Sequence, residues 1–448
     1  MISFEKDSDG RDLYKEAHAV NLLVNINAVV ITVISALYVY QMFYIVVVFV
    51  GEWRQKRKAK KHAEPPVTLH RFAAIISARN ESAVIGQLVD TIKQQNYPSE
   101  MLDAIIIADN CTDDTAQVAR DHGAIVYERF NQEKVGKGFA LNYAFQHIAE
   151  DFGDSYYDAY VIIDADNLLD ENYFAEMNKT FSSGYRIITS YRNSKNFGTN
   201  WISAGYSLWF LREAKFLNNA RMMLGTSCAV SGTGFLVSSE VIRERGGWNY
   251  HLLTEDIEFT VDTVIRGETI GYCAGAMLYD EQPTRFDQSW NQRMRWSKGF
   301  YQVAGNYGTR LGGGIIKNRR KNPFACYDLF MTVMPCMLLT VCVLISDLAL
   351  LLFALLGNTY MPHLMETMFS SLAFWLSGYY GSLFLMGALT MITERKKINC
   401  PLHKRILYTF TFPFFQLTYF PIAVASVFKK VEWKPIRHDV SKSLDEVR

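Results

Sequence analysis

The chain has 448 residues, of which 49% are hydrophobic, 14% aromatic and only 20% charged, below the roughly 25% of charged residues in soluble domains. A wholly soluble protein of about three domains, the expectation from length at roughly 150 residues each, is excluded, because part of this chain belongs in lipid. Lysine and arginine total 46 against 45 aspartates and glutamates, a balance with no general pull toward polyanions, so nucleic acid is not an expected partner.

Residues 1–19 form a head that is acidic on balance and predicted to be extracytoplasmic. Residues 20–50 carry no charge, and as helix they would measure about 46 Å against a hydrocarbon core of about 30 Å. They predict one tilted transmembrane helix, too long and too acidic at its head for a cleaved secretory leader. A basic linker over 51–68 follows, with Arg54, Lys56, Arg57, Lys58, Lys60 and Lys61. By the positive-inside rule it places the next block in the cytoplasm.

Residues 69–301 read as an α/β block large enough to bury its own core. RFAAIISA, LDAIIIAD and AYVIIDAD are continuous apolar runs, each followed by a helical stretch. Such runs imply a sheet covered on both faces, and in these sheets ligands bind at the carboxyl ends of the strands. The first run ends in Ala78-Arg79-Asn80-Glu81 and the second in Ala108-Asp109-Asn110. A carboxylate there can accept hydrogen bonds from a ring N–H or a ribose hydroxyl, although Asp109 equally fits as the cap of the next helix. The third run ends in Asp164-Ala165-Asp166. Residues i and i+2 of an extended segment point to one side, so the pair suits Mg²⁺ or Mn²⁺, which take their other ligands from phosphate and water.

Val135-Gly136-Lys137-Gly138 opens a helix without being a Walker loop. Its glycines let backbone N–H groups approach an anion and Lys137 can neutralise a diphosphate, an ordinary solvent-facing lysine being the alternative. Thr254-Glu255-Asp256 begins a helix with Thr254 as its predicted cap. The two acids serve either the helix dipole or a proton-abstracting base, for which Glu255 and Asp256 are equal candidates on this ground. Gln292, Arg295 and Trp296 fall at i, i+3 and i+4 and share one helix face. Arginine there suits a phosphate oxygen and tryptophan the face of a sugar ring, with a snorkelling interfacial helix as the alternative.

Beyond this block, 302–323 reads as an interfacial segment and 324–392 as two transmembrane helices, Phe324 to Leu356 and Met368 to Ile392. Residues 406–428, interrupted by Pro413 and Pro421 and flanked by basic residues at both ends, predict a re-entrant or interfacial helix, with 429–448 as a cytoplasmic tail. Asp328 is expected at the cytoplasmic mouth and Asp347 at the far interface, a polar conduit lined by both being the alternative. The seven cysteines show no C-x-x-C spacing and read as reduced thiols.

Taken in order, Asp109, Asp164-x-Asp166, Thr254-Glu255-Asp256 and Gln292-x-x-Arg295-Trp296 resemble the D, DxD, TED and QxxRW series of membrane-embedded, processive family 2 glycosyltransferases. These are the relatives of cellulose, hyaluronan, chitin and poly-N-acetylglucosamine synthases. The resemblance covers nearly the whole chain, and the four-part series is specific where each part alone is weak. It implies an α/β, GT-A type nucleotide-sugar-binding domain with flanking transmembrane α-helices, set in the plasma membrane with the catalytic domain cytoplasmic. The implied reaction extends a β-glycan from a UDP-sugar with inversion and threads it outward, UDP-glucose being slightly favoured over UDP-N-acetylglucosamine. By the resemblance, Asn80, Glu81 and Asp109 contact uridine, Lys137 serves the diphosphate, and Asp164 and Asp166 hold the metal. Asp256 becomes the base and Glu255 its support, while Gln292, Arg295 and Trp296 hold diphosphate and acceptor sugar. Ser231-Gly232-Thr233-Gly234 resembles the small-residue strand lining the acceptor site.

Two departures stand out. Only 429–448 follow the last apolar helix, so the cyclic-dinucleotide control of bacterial cellulose synthases is expected to be absent or to lie on an accessory or regulatory subunit. There are also fewer spans than in several relatives, which leaves open whether one chain or an oligomer forms a channel. Trp433, Lys434 and Arg437 read as a gate over the nucleotide, in the manner of a C-terminal tryptophan motif of hyaluronan synthases, or else as part of a plain tail. The competing functions are a non-processive transferase acting on a lipid carrier, which would generally lack QxxRW, and a transporter with a nucleotide-sugar-sensing domain.

Overall fold

The structure, a computed structural model, describes residues 13–58, 67–317, 322–356, 362–431 and 442–448. The charge-free run lies within two helices, α1 (Leu13–Tyr38) and α2 (Tyr40–Lys58), interrupted only at Val39. Helix persists past the apolar residues because Glu52, Arg54, Gln55, Lys56 and Arg57 are good helix formers. The first part of the expected linker is therefore helical, and Lys60 and Lys61 lie outside the described residues.

Residues 72–280 build an eight-stranded sheet of β1 (Phe72–Ala78), β2 (Leu102–Asp109), β3 (Ile125–Arg129), β4 (Ala159–Asp164), β5 (Leu168–Leu169), β6 (Ile187–Ser194), β7 (Phe235–Ser238) and β8 (Ile270–Asp280). Their spatial order is β3-β2-β1-β4-β7-β6-β8-β5. The first four positions are parallel, and β7 runs antiparallel between β4 and β6. Helices α3 (Ile85–Lys93), α4 (Thr115–Asp121), α5 (Lys137–Phe152) and α6 (Tyr173–Ser182) return the chain between strands. The three apolar runs are β1, β2 and β4. On β1, Phe72, Ala74 and Ile76 enter one buried cluster with α3 and α6, while Ala73 and Ile75 enter the opposite one with α5. Two-residue alternation with both faces covered is why these runs lack a polar side. Pairing sets Ala78 opposite Ala108 and Ser77 opposite Asp164, so three strand tips end on one edge.

Below that edge lie α7 (Trp201–Arg212), a π-helical turn (Glu213–Asn218) and α8 (Asn219–Leu224), followed later in the chain by α9 (Ser239–Glu244), α10 (Glu255–Ile265) and α11 (Phe286–Lys317). The expected interfacial segment is a continuation of α11 through Lys317, and 318–321 lie outside the described residues. The apolar C-terminal region comprises α12 (Pro323–Val333), α13 (Cys336–Leu356), α14 (Pro362–Thr393), α15 (Leu402–Leu417) and α16 (Tyr419–Phe428). The single span expected over 324–356 is broken, bending by 44° between α12 and α13, where Pro335 cannot continue the backbone ladder.

By length and composition, three stretches among the described residues suffice to cross a membrane: Leu22–Arg57, Leu372–Thr393 and Leu402–Phe428, with the bent pair as a fourth. The third is longer than the expected 406–428 helix, and 39% of its most apolar window is buried against 6% in the other two. That burial is contact with α13 and α14 as well as with α7 and α11. Phe415 of α15 sits so close to Gly205 of α7 that a Cβ there would stand 2.4 Å from its ring.

Asp328 and Asp347 do not form a conduit. Asp328 is 1% exposed and takes Arg221 of α8 as a two-pronged partner, Nε to Oδ2 at 2.7 Å and Nη2 to Oδ1 at 3.2 Å. The hydroxyls of Tyr40 and Tyr44 donate to the same carboxylate at 2.6 and 2.9 Å. Asp347 accepts a 2.6 Å hydrogen bond from Asn27 of α1. The last described element, α17 (Leu444–Val447), lies against the sheet edge. Val447 packs on Leu168 and Tyr279, and Arg448 pairs with Asp170 at 3.0 Å and Glu171 at 2.6 Å.

Replacing Arg221 with methionine strands a buried carboxylate and is expected to cost about 3–5 kcal/mol, seen as a lowered unfolding midpoint in detergent. Adding Asp328→Asn should restore a large part of the loss. A single variant as stable as the parent would contradict this account of the junction.

Candidate active site

The three strand tips converge on one cavity of about 780 Å³. Its walls include Glu81, Asp109, Lys137, Asp164, Asp166, Ser231, Gly232, Glu255, Asp256, Gln292, Arg295 and Trp296. Most of the residues singled out from sequence are thus brought together from seven separate regions of the chain. Asn80, Thr233 and Gly234 are not among the lining residues, and Trp433, Lys434 and Arg437 lie outside the described residues.

Asn80 has a left-handed backbone (φ 58°), and its side chain closes the loop at the tip of β1, accepting from the Thr112 N–H at 2.8 Å. Asp109 does not cap α4. It pairs with Arg129 of the neighbouring β3 at 2.5 Å, and Asp113 receives the N–H and hydroxyl of Thr115 instead. Burial outweighs that arginine and raises the Asp109 pKa.

Lys137 is not solvent-facing. Its ammonium bridges Asp164 Oδ1 at 2.5 Å and the Gly232 carbonyl at 2.8 Å. Burial opposes its charge, but Asp164 and Glu255 more than compensate and raise its pKa. Asp166 is 3% exposed and accepts from the Glu281 N–H at 3.1 Å and from Asn167 at 3.3 Å. Thr233 supports this loop from behind, its hydroxyl accepting from the Asp164 N–H at 2.9 Å and donating to Asn167 at 2.6 Å. Thr233 is therefore a brace for the acidic loop, where an acceptor-lining residue was expected. Among the described residues no group of three or more His, Cys, Asp or Glu converges. Two carboxylates lining this cavity nonetheless fit Mg²⁺ or Mn²⁺, which commonly take only one or two protein carboxylates.

Glu255 and Asp256 open α10. Gly232, itself left-handed at φ 76°, donates its N–H to Asp256 Oδ2 at 2.6 Å. Thr254 makes no capping bond and its hydroxyl is buried without a partner among the described residues. It is instead a packing contact, since a Cβ on Gly299 of α11 would stand 2.5 Å from it. Only glycine lets α11 approach so closely. Burial, then the neighbouring Asp256 charge, pushes Glu255 up to about 7, and burial also raises Asp256.

Trp296 stands edge-on to Tyr206 and Phe210 of α7, at 5.7 and 6.2 Å between ring centres. Gln292 Oε1 is buried with no partner among the described residues. Arg293, which the sequence pattern passed over, does not line the cavity. It is fully buried, donates to the Phe415 carbonyl and Thr418, and rests over Phe415 and Tyr419, fixing α11 to α15 and α16.

The lining residues that were missed include Asp280 and Arg192. Asp280, at the tip of β8, binds Arg192 of β6 in a charge-assisted pair. Burial works against its charge, yet Arg192 holds its pKa below the usual carboxylate range. The signal existed, for β8 is another apolar run ending in an acid. Nothing in the sequence marked Arg192.

A mixed sheet whose parallel tips carry acids around a nucleotide-sized cavity defines a GT-A type fold. A solved mannosyltransferase from Pyrobaculum calidifontis, in complex with GDP-Man and Mn²⁺, shares it at a TM-score of 0.52 over 88% of this chain and 99% of that one, with 18% identity. The description "Glycosyltransferase like family 2" matches residues 70–299, just over half of the chain, and the protein belongs to that family of enzymes. Curated relatives include the probable glycosyltransferase YdaM of Bacillus subtilis, 24% identical over 67% of this chain and 70% of that protein. A beta-monoglucosyldiacylglycerol synthase of Nostoc is 29% identical over 55% of this chain and 51% of its own length. A poly-beta-1,6-N-acetyl-D-glucosamine synthase of Staphylococcus aureus is 23% identical over 52% and 56%. The chain thus spans about half the length of the last two.

With both carboxylates of α10 shifted upward, transfer activity should fall on acidification at a pH above the usual carboxylate range, because a base must be unprotonated to act. Glu255→Gln removes the like charge and should move that acid limb to lower pH. A limb that stays put, measured as kcat/KM against pH, would refute the pairing.

Proposed function

We propose that the protein is an inverting, processive synthase that extends a β-glycan from a UDP-hexose and passes it across the plasma membrane, with the α/β block cytoplasmic. The observation that carries this reading is the shape of the cavity. It continues from Asp256 and Trp296 to a region walled by α1, α12, α13, α14, α15 and α16, where lining residues such as Ser35, Thr340, Trp375, Tyr379 and Gln416 carry no charge. Hydroxyl and amide groups beside aromatic faces suit a neutral sugar chain, which presents hydroxyls at its edge and C–H groups on its ring faces.

In this reading Asp256 takes the proton of the acceptor hydroxyl as that oxygen attacks the anomeric carbon, and the bond from that carbon to the UDP oxygen breaks. The Gly232 N–H aims Asp256, and Glu255 tunes it. Glu81 and Asp109 hold the nucleoside end, with Asn80 shaping the loop beside them. Lys137 and Arg295 face the departing diphosphate, and Trp296 with Gln292 positions the acceptor ring. Asp164 and Asp166 would hold Mg²⁺ or Mn²⁺, whose charge helps neutralise the diphosphate.

A second reading, transfer of one hexose to a lipid, is favoured by the apolar side chains of Ile31, Ile34 and Phe420 in the same cavity and by the name of the Nostoc relative. Purified protein in lipid, supplied with each UDP-sugar, separates the two. A polymer cut by a linkage-specific β-glycanase supports the synthase, and single-sugar lipid alone overturns it. Asp256→Asn should lower transfer by about 10³-fold or more. Chelation should abolish transfer and added Mn²⁺ restore it, and a product unchanged by Asp164→Ala with Asp166→Ala would remove the metal assignment.

A further inference from the structure

Glu213 opens the π-helical turn that joins α7 to α8, a local widening of the helix often found at functional sites. It lies one turn after Phe210, whose ring packs against Trp296, and it lines the cavity that holds Asp256. It also borders a side pocket of about 10 Å³ shared with Ser190 and Arg192, room for roughly one water molecule. The Glu213 carboxylate makes no hydrogen bond or ion pair with another described residue.

Three arginines influence it at longer range, and each is engaged elsewhere. Arg192 is held by Asp280, Arg221 by Asp328, and Arg212 by the Gln41 side chain at 3.1 Å and the face of Trp209. Burial raises the pKa of Glu213 in spite of them. A half-buried carboxylate without donors is costly, and its oxygens can only accept when ionised. The cavity it lines offers that donor: water in the resting enzyme and, in its place, a hydroxyl of whatever occupies the stretch toward Trp296 and Asp256, which is where the acceptor is placed above.

We infer that Glu213 is an acceptor-binding residue, its carboxylate accepting a hydrogen bond from a hydroxyl of the terminal acceptor sugar and turning the nucleophilic hydroxyl toward Asp256. The inference rests on the proposed synthase reading. Its function is selective. Water can replace the acceptor and hydrolyse UDP-sugar without using Glu213, whereas glycan transfer needs it.

The test measures, in lipid-reconstituted full-length protein given UDP-glucose or UDP-N-acetylglucosamine, how consumed donor divides between polymer and free sugar. Glu213→Ala should lower the transfer-to-hydrolysis ratio by about tenfold or more, as for loss of a hydrogen bond to a charged group. Donor KM, total hydrolysis and the unfolding midpoint should stay at parental values. Glu213→Gln, which keeps a carbonyl acceptor, should recover part of the ratio. An unchanged ratio in Glu213→Ala overturns the inference, and so does a parallel fall in hydrolysis and transfer, which marks a donor-site or folding role. If the parent enzyme makes only single-sugar diacylglycerol, the synthase reading fails separately. The assignment of Glu213 then survives only if Glu213→Ala raises the KM for diacylglycerol.

Discussion

A buried charge must be answered by the protein around it, and the pairing of Arg221 with Asp328 shows how far that constraint organises this molecule. The carboxylate sits on an apolar helix and the guanidinium on the catalytic block, so neither part alone can satisfy its own charge. Tyr40 and Tyr44 bring α2 to the same point. Three regions distant in sequence are therefore fixed to one another by a single four-member contact. Through Arg221 that contact holds α8, which directly follows the π turn, against α2 and α12.

The acids lining the cavity obey the same rule. Asp109 answers Arg129, Asp164 answers Lys137, and Asp280 answers Arg192. Each pair ties the tip of one strand to another element, so the acids that face the cavity also set its shape. Glu255 and Asp256 differ, being supported mainly by backbone N–H groups and helix geometry. Their shifted proton affinities reflect that weaker compensation.

Much of this was legible in the sequence. β1, β2 and β4 were readable because strands covered on both faces must be apolar throughout, and Glu81, Asp109, Asp164 and Asp166 reach the cavity because each lies at or just past the end of such a run. That neither Asp109 nor Thr254 caps a helix was not legible, since capping depends on local geometry, which at α4 lets Asp113 take the Thr115 N–H instead. Lys137 resembled a surface lysine because its partner lies 27 positions away. The bend between α12 and α13 was marked by Pro335, whereas the burial of α15 arises from packing between distant segments, which hydropathy along the chain does not record. Arg192 and Arg293 escaped for the same reason, each owing its place to a partner on another element.

The contact of Gly299 with Thr254 has a mechanical meaning. The α10 residues Ile257 and Val261, the α11 residues Val303 and Leu311, and Ala325 and Leu329 of α12 share one apolar cluster. The helix that opens with the two carboxylates and the helix that leads into the apolar C-terminal region are thus packed as one solid piece. A load on α12, from whichever medium surrounds it, is borne by the same side chains that set the distance between Asp256 and the Trp296 platform.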